Sequence, residues 1–340
     1  MTNGELNDMR IHRVLVILLG FMLSSIVLSG SVKGLHQTLA DSGSVDANNH
    51  AVSEPSESSK PSKSAPASKA TEPAITSELR LSCLYFDQMD FYRSLKAVED
   101  GNGQMGQTGI LLGGIVNHHQ LASDLIARFF DAISSATPET IFIIGPNHKR
   151  YGSSRVHTGR WSWDTYFGEV ETDETAVKRV VKALGAHEDF ELLNQEHSIS
   201  TLMPYVAYTF PESKVVPILL HGNLEMADCI KLVDTLEPIL REKPCLLIAS
   251  IDFSHYLTPE KAYEMDAITM RAIADRDIAG IKTMGNDNLD TPPALLITLM
   301  LMDRLGANED ILFEHSNSSD ILGQWSEITT SYLTYLFLKQ

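Results

Sequence analysis

Apolar positions in this chain come in short, unalternated runs that stop abruptly at polar residues. Residues 111–119 read Leu111-Leu112-Gly113-Gly114-Ile115-Val116-Asn117-His118-His119, an apolar run closed by two histidines. Residues 141–148 repeat the arrangement, ending in Gly145-Pro146-Asn147-His148, and residues 246–255 repeat it again, ending in Ser250-Ile251-Asp252-Phe253-Ser254-His255. Continuous apolar runs of this length, bounded by turn residues, predict strands covered on both faces. Between them, residues 118–134 place Leu121, Leu125, Ile126, Phe129, Phe130 and Ile133 on one face, which predicts a helix. The strand–helix–strand unit predicts parallel strands with a right-handed crossover, bringing His118 and His148 to neighbouring strand ends. Helices are expected over residues 173–184, 226–240, 259–284 and 293–305. Further strands are expected over 215–220, 245–251 and 331–338. The fold class is therefore α/β.

The first 78 residues break this pattern. Arg10 and Arg13 precede an almost wholly apolar stretch at residues 14–30, so residues 1–35 read as a signal peptide or membrane anchor with the folded domain outside the cytoplasm. Residues 36–78 are rich in Ser, Pro, Ala and Lys, which predicts a disordered tether. Residues 79–340 are long enough for one large domain.

With 44 acidic against 27 basic residues, the net charge of −17 offers no basic stripe for phosphates and argues against a nucleic-acid partner. Three cysteines, Cys83, Cys229 and Cys245, form no CxxC pair; they set aside a disulfide framework and leave one bridge open.

Imidazoles at the carboxyl ends of parallel strands are where α/β sheets build their sites. Two imidazoles and one carboxylate from separate strand ends would make a facial triad with open positions, suited to ferrous iron. Zinc with three protein ligands and a water is the alternative, and spacing does not choose between them. Asp252 could hold an imidazole tautomer and His255 could act as a base or acid near neutral pH. Glu196 and His197 are adjacent in sequence, so their side chains diverge and do not both ligate one ion. Ser250 and Ser254 lie outside any nucleophile elbow, which leaves serine hydrolysis unsupported.

These residues together resemble the successive motifs of the Memo-like family, whose bacterial and archaeal members are called AmmeMemoRadiSam system protein B. The resemblance runs through Gly113 to His119, Gly145 to His148, Phe167-Gly168 with Asp173, Glu196 to Ile199, Ser250 to Tyr256 and Ser331-Tyr332. It implies a single domain with a central mixed β-sheet flanked by helices, similar in fold to the class III extradiol ring-cleavage dioxygenases, which use non-haem iron. It also implies His118 and His148 as metal ligands and His255 as acid/base. The third family ligand is commonly a cysteine in a Cys-Gly-x-x-Pro stretch. Counting back from Pro293 puts Leu289 there, with Asp290 one residue away; Asp290 completing a 2-His-1-carboxylate set is the expectation carried forward. Asn117 stands where the family usually has proline, which should loosen the turn.

The resulting expectation is a membrane-tethered or exported metalloprotein. His118, His148 and Asp290 would bind iron, with zinc or copper as alternatives. His255 oriented by Asp252 would shuttle protons, and Glu196 and His197 would line the pocket. The contrasting expectation is a non-enzymatic module that binds a peptide or partner in the same cleft, its groove lined by the aromatics of residues 161–167.

Overall fold

A computed structural model describes residues 79–100 and 109–340. In chain order the strands are β1 (Leu81–Ser82), β2 (Ile110–Val116), β3 (Thr140–Pro146), β4 (Val156–Thr158), β5 (Trp163–Thr165), β6 (Gly168–Val170), β7 (His187–Glu188), β8 (Lys214–Leu220), β9 (Cys245–Ser250), β10 (Glu309–Asn317) and β11 (Ser331–Lys339). The helices are α1 (Gln88–Asp100), α2 (Ser123–Ala132), α3 (Glu174–Leu184), α4 (Phe190–Gln195), α5 (His197–Ser200), α6 (Met203–Thr209), α7 (Met226–Glu242), α8 (Pro259–Ala274), α9 (Ile278–Lys282), α10 (Pro292–Leu305) and α11 (Ser318–Leu322).

The apolar runs are unalternated because both faces of the main sheet are covered. Phe142 and Ile144 of β3, Val216 and Ile218 of β8, and Leu247 and Ala249 of β9 pack on one side with α7 and α10. Ile141, Ile143, Val215, Leu246 and Ile248 pack on the other with α2 and α6. Eight strands lie in the order β10-β11-β2-β9-β3-β8-β4-β7. The central four, β2, β9, β3 and β8, are mutually parallel, while β11 and β4 run antiparallel to their inner neighbours. The mixed α/β sheet flanked by helices is thus the observed architecture. A small sheet of order β1-β5-β6 accompanies it.

The expected pairing of the first two motif strands is corrected in detail. β9 lies between β2 and β3 and hydrogen-bonds both, so His118 and His148 sit on strand ends two places apart. The site thus draws on three consecutive strand ends. Close approach around β2 requires glycine: a Cβ on Gly114 would lie 2.5 Å from both the Tyr335 carbonyl and the Phe129 ring. Asp173 caps α3 by accepting from the Ala176 amide, and also accepts from Thr140. The aromatic stretch builds the β5–β6 hairpin. Trp163 is fully buried, and Phe167 packs against Phe91 and Tyr208. β10 was not anticipated; it is an edge strand whose mixed, half-exposed residues carry no clean alternation. All three cysteines are free.

The signal peptide or anchor expected over residues 1–35 and the tether over 36–78 lie outside the described residues. Among the described residues no helix is long and apolar enough to cross a membrane. The longest, α7, has 17 residues and carries Asp, Glu, Lys and Arg, whereas spanning takes about 20 apolar residues. The expectation of a membrane-anchored or exported domain is corrected on that finding.

Candidate metal centre

The carboxyl ends of β2, β9 and β3 converge on one cluster. His118 follows β2 and is fully buried. Its backbone N–H donates to Asp252 Oδ1 at 3.0 Å, tying the end of β2 to the end of β9. Its ring Nδ1 lies 3.0 Å from Ser250 Oγ. Ser250 donates its own proton to the Ser198 carbonyl, so it accepts from His118 Nδ1–H. That fixes the tautomer and turns the Nε2 lone pair toward the centre.

His148 follows β3 and is held the same way by a different group. Its Nδ1 donates to Glu196 Oε1 at 2.9 Å, and its backbone N–H to Glu196 Oε2 at 2.9 Å. Glu196 Oε1 also takes the Ser198 N–H at 3.0 Å, because Glu196 is the N-cap of α5. Both carboxylate oxygens are thereby occupied and Glu196 is buried, so it braces His148 and does not face open space. His197 stacks on the His148 ring at 4.3 Å and lies on the exposed side of the cluster.

Asp290 supplies the carboxylate. Its Oδ2 stands 3.3 Å from His118 Nε2 and 3.6 Å from His148 Nε2. The register answers the one-residue ambiguity: Leu289 forms an antiparallel bridge with Phe253 and is fully buried in the core. The next side chain therefore points the other way, into the cluster. The Asp290 N–H donates to the Asp252 carbonyl at 3.1 Å, and the Asp252 N–H to Asp290 Oδ2 at 3.3 Å. This reciprocal clasp holds the 286–291 loop against the end of β9.

Charge inside the cluster follows from this packing. Burial pushes the His118 imidazole pKa down, but Asp252 and Asp290 outweigh burial and raise it. Burial likewise opposes ionisation of Asp290 and Glu196, yet the imidazoles beside them hold both carboxyls well below the usual range. His119 goes the other way, lowered by burial against the pull of Asp252.

The donor set fits a metal ion. His118 Nε2 and Asp290 Oδ1 are buried and make no hydrogen bond, although groups so buried are normally paired. Donors sharing one ion at about 2.1 Å stand roughly 3.0–3.4 Å apart, close to the spacing of His118, His148 and Asp290. The ligating atoms of His118, His148 and His197 also lie within 4.8 Å of one another, so His197 is a further imidazole within reach.

Two expectations change. Asp252 does not orient His255: no hydrogen bond joins them, because the Asp252 carboxylate is engaged with the His118 N–H and lies 3.7 Å from His118 Nε2. His255 is instead fixed through its backbone N–H to the Asn286 carbonyl, and its Nδ1 makes no hydrogen bond. The following residue, Tyr256, has a left-handed φ of 59°, a strained conformation that turns the chain at this point. Nor does Asn117 leave its turn loose. Its side-chain amide donates to the His119 and Ala122 carbonyls at 3.3 and 3.4 Å, bracing the turn from inside.

Ser250 and Tyr332 are the residues that sequence reasoning left without a role here. Tyr332 is buried and its hydroxyl pairs with His119 Nδ1 at 2.7 Å. Ser250 sits in a strand end that reads simply as a strand end, and its bond spans 132 positions. Glu196→Gln, which leaves His148 with a neutral acceptor, is expected to weaken metal affinity by about 10–100-fold; titration against a competing chelator measures it.

A covered mixed α/β sheet with histidines and a carboxylate gathered at its parallel strand ends defines an α/β protein whose residues could hold a metal ion. The chain belongs to the Memo-like family, whose model matches residues 115–336. It is 29% identical over 247 residues to a MEMO1 family protein of Methanopyrus kandleri, covering 68% of this chain and 86% of that one. A MEMO1 family protein of Methanosarcina mazei is 30% identical over 223 residues, covering 63% and 81%. Among solved structures, an uncharacterized protein from Escherichia coli K12 aligns with a TM-score of 0.47 at 12% identity, over 66% of this chain and 99% of that one.

Proposed function

We propose that this chain is a metal-dependent redox enzyme acting on a small molecule, with His118, His148 and Asp290 as the ligands of ferrous iron. One observation carries the reading. Two imidazoles have their Nδ1–H groups locked, by Ser250 and by Glu196, so that both Nε2 atoms face the same Asp290 oxygen. Two histidines and a carboxylate on one side suit ferrous iron, with zinc and copper as the alternatives. Iron held there would supply a redox centre with open coordination positions.

The chain's own residues then divide the work. Ser250, Glu196 and Asp252 position the ligands without touching the reacting atoms. Substrate reaches the centre over His148 and His197, the two cluster imidazoles with solvent-facing area, at 29% and 36% side-chain exposure. His255, whose Nδ1 has no partner, is the residue we assign to proton transfer.

The test is metal content. The protein is purified anaerobically without chelator or affinity-tag histidines, and iron, zinc and copper are quantified per chain beside His148→Ala. The expected result is about one iron in the parent and none in the variant. Zinc in its place would turn the chemistry toward hydrolysis by an activated water. No metal after reconstitution would overturn the enzyme reading.

A further inference from the structure

At the far edge of the sheet, β4 and β7 pair in parallel with His157 directly opposite His187. Their rings lie 5.9 Å apart. Asp189 immediately follows β7, and its Oδ2 stands 3.9 Å from His157 Nδ1 and 4.0 Å from His187 Nδ1. The ligating atoms of all three residues lie within 4.8 Å of one another.

His157 decides what this cluster is for. It is fully buried, and its Nε2 lies 2.8 Å from the Ser154 carbonyl. A carbonyl only accepts, so Nε2 carries the proton and Nδ1 presents a lone pair. That Nδ1 has no hydrogen-bond partner and faces the Asp189 carboxylate, itself an acceptor. A buried acceptor left facing a partly exposed carboxylate is unfavourable unless something positive sits between them. Asp189 is free to serve, since Oδ1 caps α4 through the Leu192 N–H while Oδ2 points to the imidazoles. Gly152, at a φ of 88°, lets the loop after β3 lie flat on the His157 ring; a Cβ there would run into it.

We propose that His157, His187 and Asp189 form a second divalent-metal site, of zinc type, with its fourth position open to solvent beside the exposed His187. Two imidazoles and one carboxylate are an ordinary three-ligand zinc set. Donors around a tetrahedral ion at about 2.0–2.1 Å stand roughly 3.3 Å apart, so the 3.9 and 4.0 Å gaps from Asp189 to the two imidazoles close by about 0.6–0.7 Å to hold it. The ion would cross-link the edge strand β7 to β4 and to the start of α4. It would also back the loop that begins at His148, tying the sheet edge to the candidate metal centre through residues 148–156.

Zinc titration of the full chain against a chromogenic chelator tests this, beside His187→Ala, Asp189→Asn and Asp290→Ala. His187 is exposed, and asparagine keeps the cap of α4, so both variants retain the fold. The expected result is that Asp290→Ala still binds one zinc and that this zinc is lost when His187→Ala or Asp189→Asn is added. Absence of any zinc in Asp290→Ala would overturn the second site, as would a stoichiometry that neither His187→Ala nor Asp189→Asn changes. A parent that binds a single zinc, kept in Asp290→Ala and lost in His187→Ala, would uphold this site while overturning the centre at His118 and His148.

Discussion

Asp290→Ala is expected to lower metal affinity by more than about 100-fold, beyond the scale on which residues behind the ligands act. The substitution removes the proposed carboxylate ligand and leaves the buried His118 and the partly exposed His148 imidazoles facing each other. It should also change how affinity depends on pH. In the metal-free protein, burial pushes the His148 pKa down, but the neighbouring Asp290 and Glu196 carboxylates outweigh burial and raise it to about 10. A proton therefore sits on His148 at neutral pH, and a metal ion must displace it. Parent affinity is expected to rise about tenfold per pH unit through neutrality. Asp290→Ala should flatten that slope, because one of the two groups holding the proton is gone.

The same shifts set the stability of the metal-free protein. His148 has a folded pKa above its ordinary 6.5, so its contribution is complete below about 6.5 and is lost as pH rises through about 10. Asp290 is lowered, so its contribution is complete above the ordinary carboxylate pKa and is lost as pH falls toward its depressed folded value. Chelator competition across neutral pH and thermal melts of the metal-free protein read the two effects separately.

The largest effect on folding is expected at Asp266, away from the metal cluster. This carboxylate is fully buried in α8 and accepts from Ser254 Oγ at 2.6 Å, Ser331 Oγ at 2.7 Å and His315 Nε2 at 2.8 Å. It joins the turn carrying His255 to β10 and β11. Asp266→Ala strands two hydroxyls and an imidazole at once, and removing one partner from a buried ionic network costs about 3–5 kcal/mol. Denaturant unfolding should show the loss. Asp266→Asn, which keeps an acceptor, should recover part of it.

What could be read from the residues was whatever lies within one segment. The strand runs announced a doubly covered sheet, and His118 and His148 stood out as imidazoles at strand ends. Asp290 was reachable by counting but ambiguous by one position. The bridge that sends Leu289 inward and Asp290 toward the site joins residues 36 positions apart. Ser250 was invisible for the same reason, since its role depends on His118 across the sheet. Asp252 was misassigned to the nearby His255 because sequence proximity suggested that pairing, whereas parallel strand register delivers Asp252 to the amide of His118. His157 and His187 drew no attention in sequence. They meet only because two short edge strands pair in register.

The position of β9 between β2 and β3 has a consequence for how the molecule comes to exist. β9 follows β3 by about a hundred residues yet must slot between strands that are already neighbours along the chain, and β11 then closes on β2 from the far terminus. Loop-closure entropy of that kind makes for high contact order and slow, late assembly of the sheet. The segments carrying His118, His148 and Asp290 meet only where the carboxyl ends of β2, β9 and β3 lie side by side. A metal ion held there would therefore not nucleate this fold as it does in a small zinc domain; it would meet a finished scaffold, and its binding energy would go to holding the native state against opening.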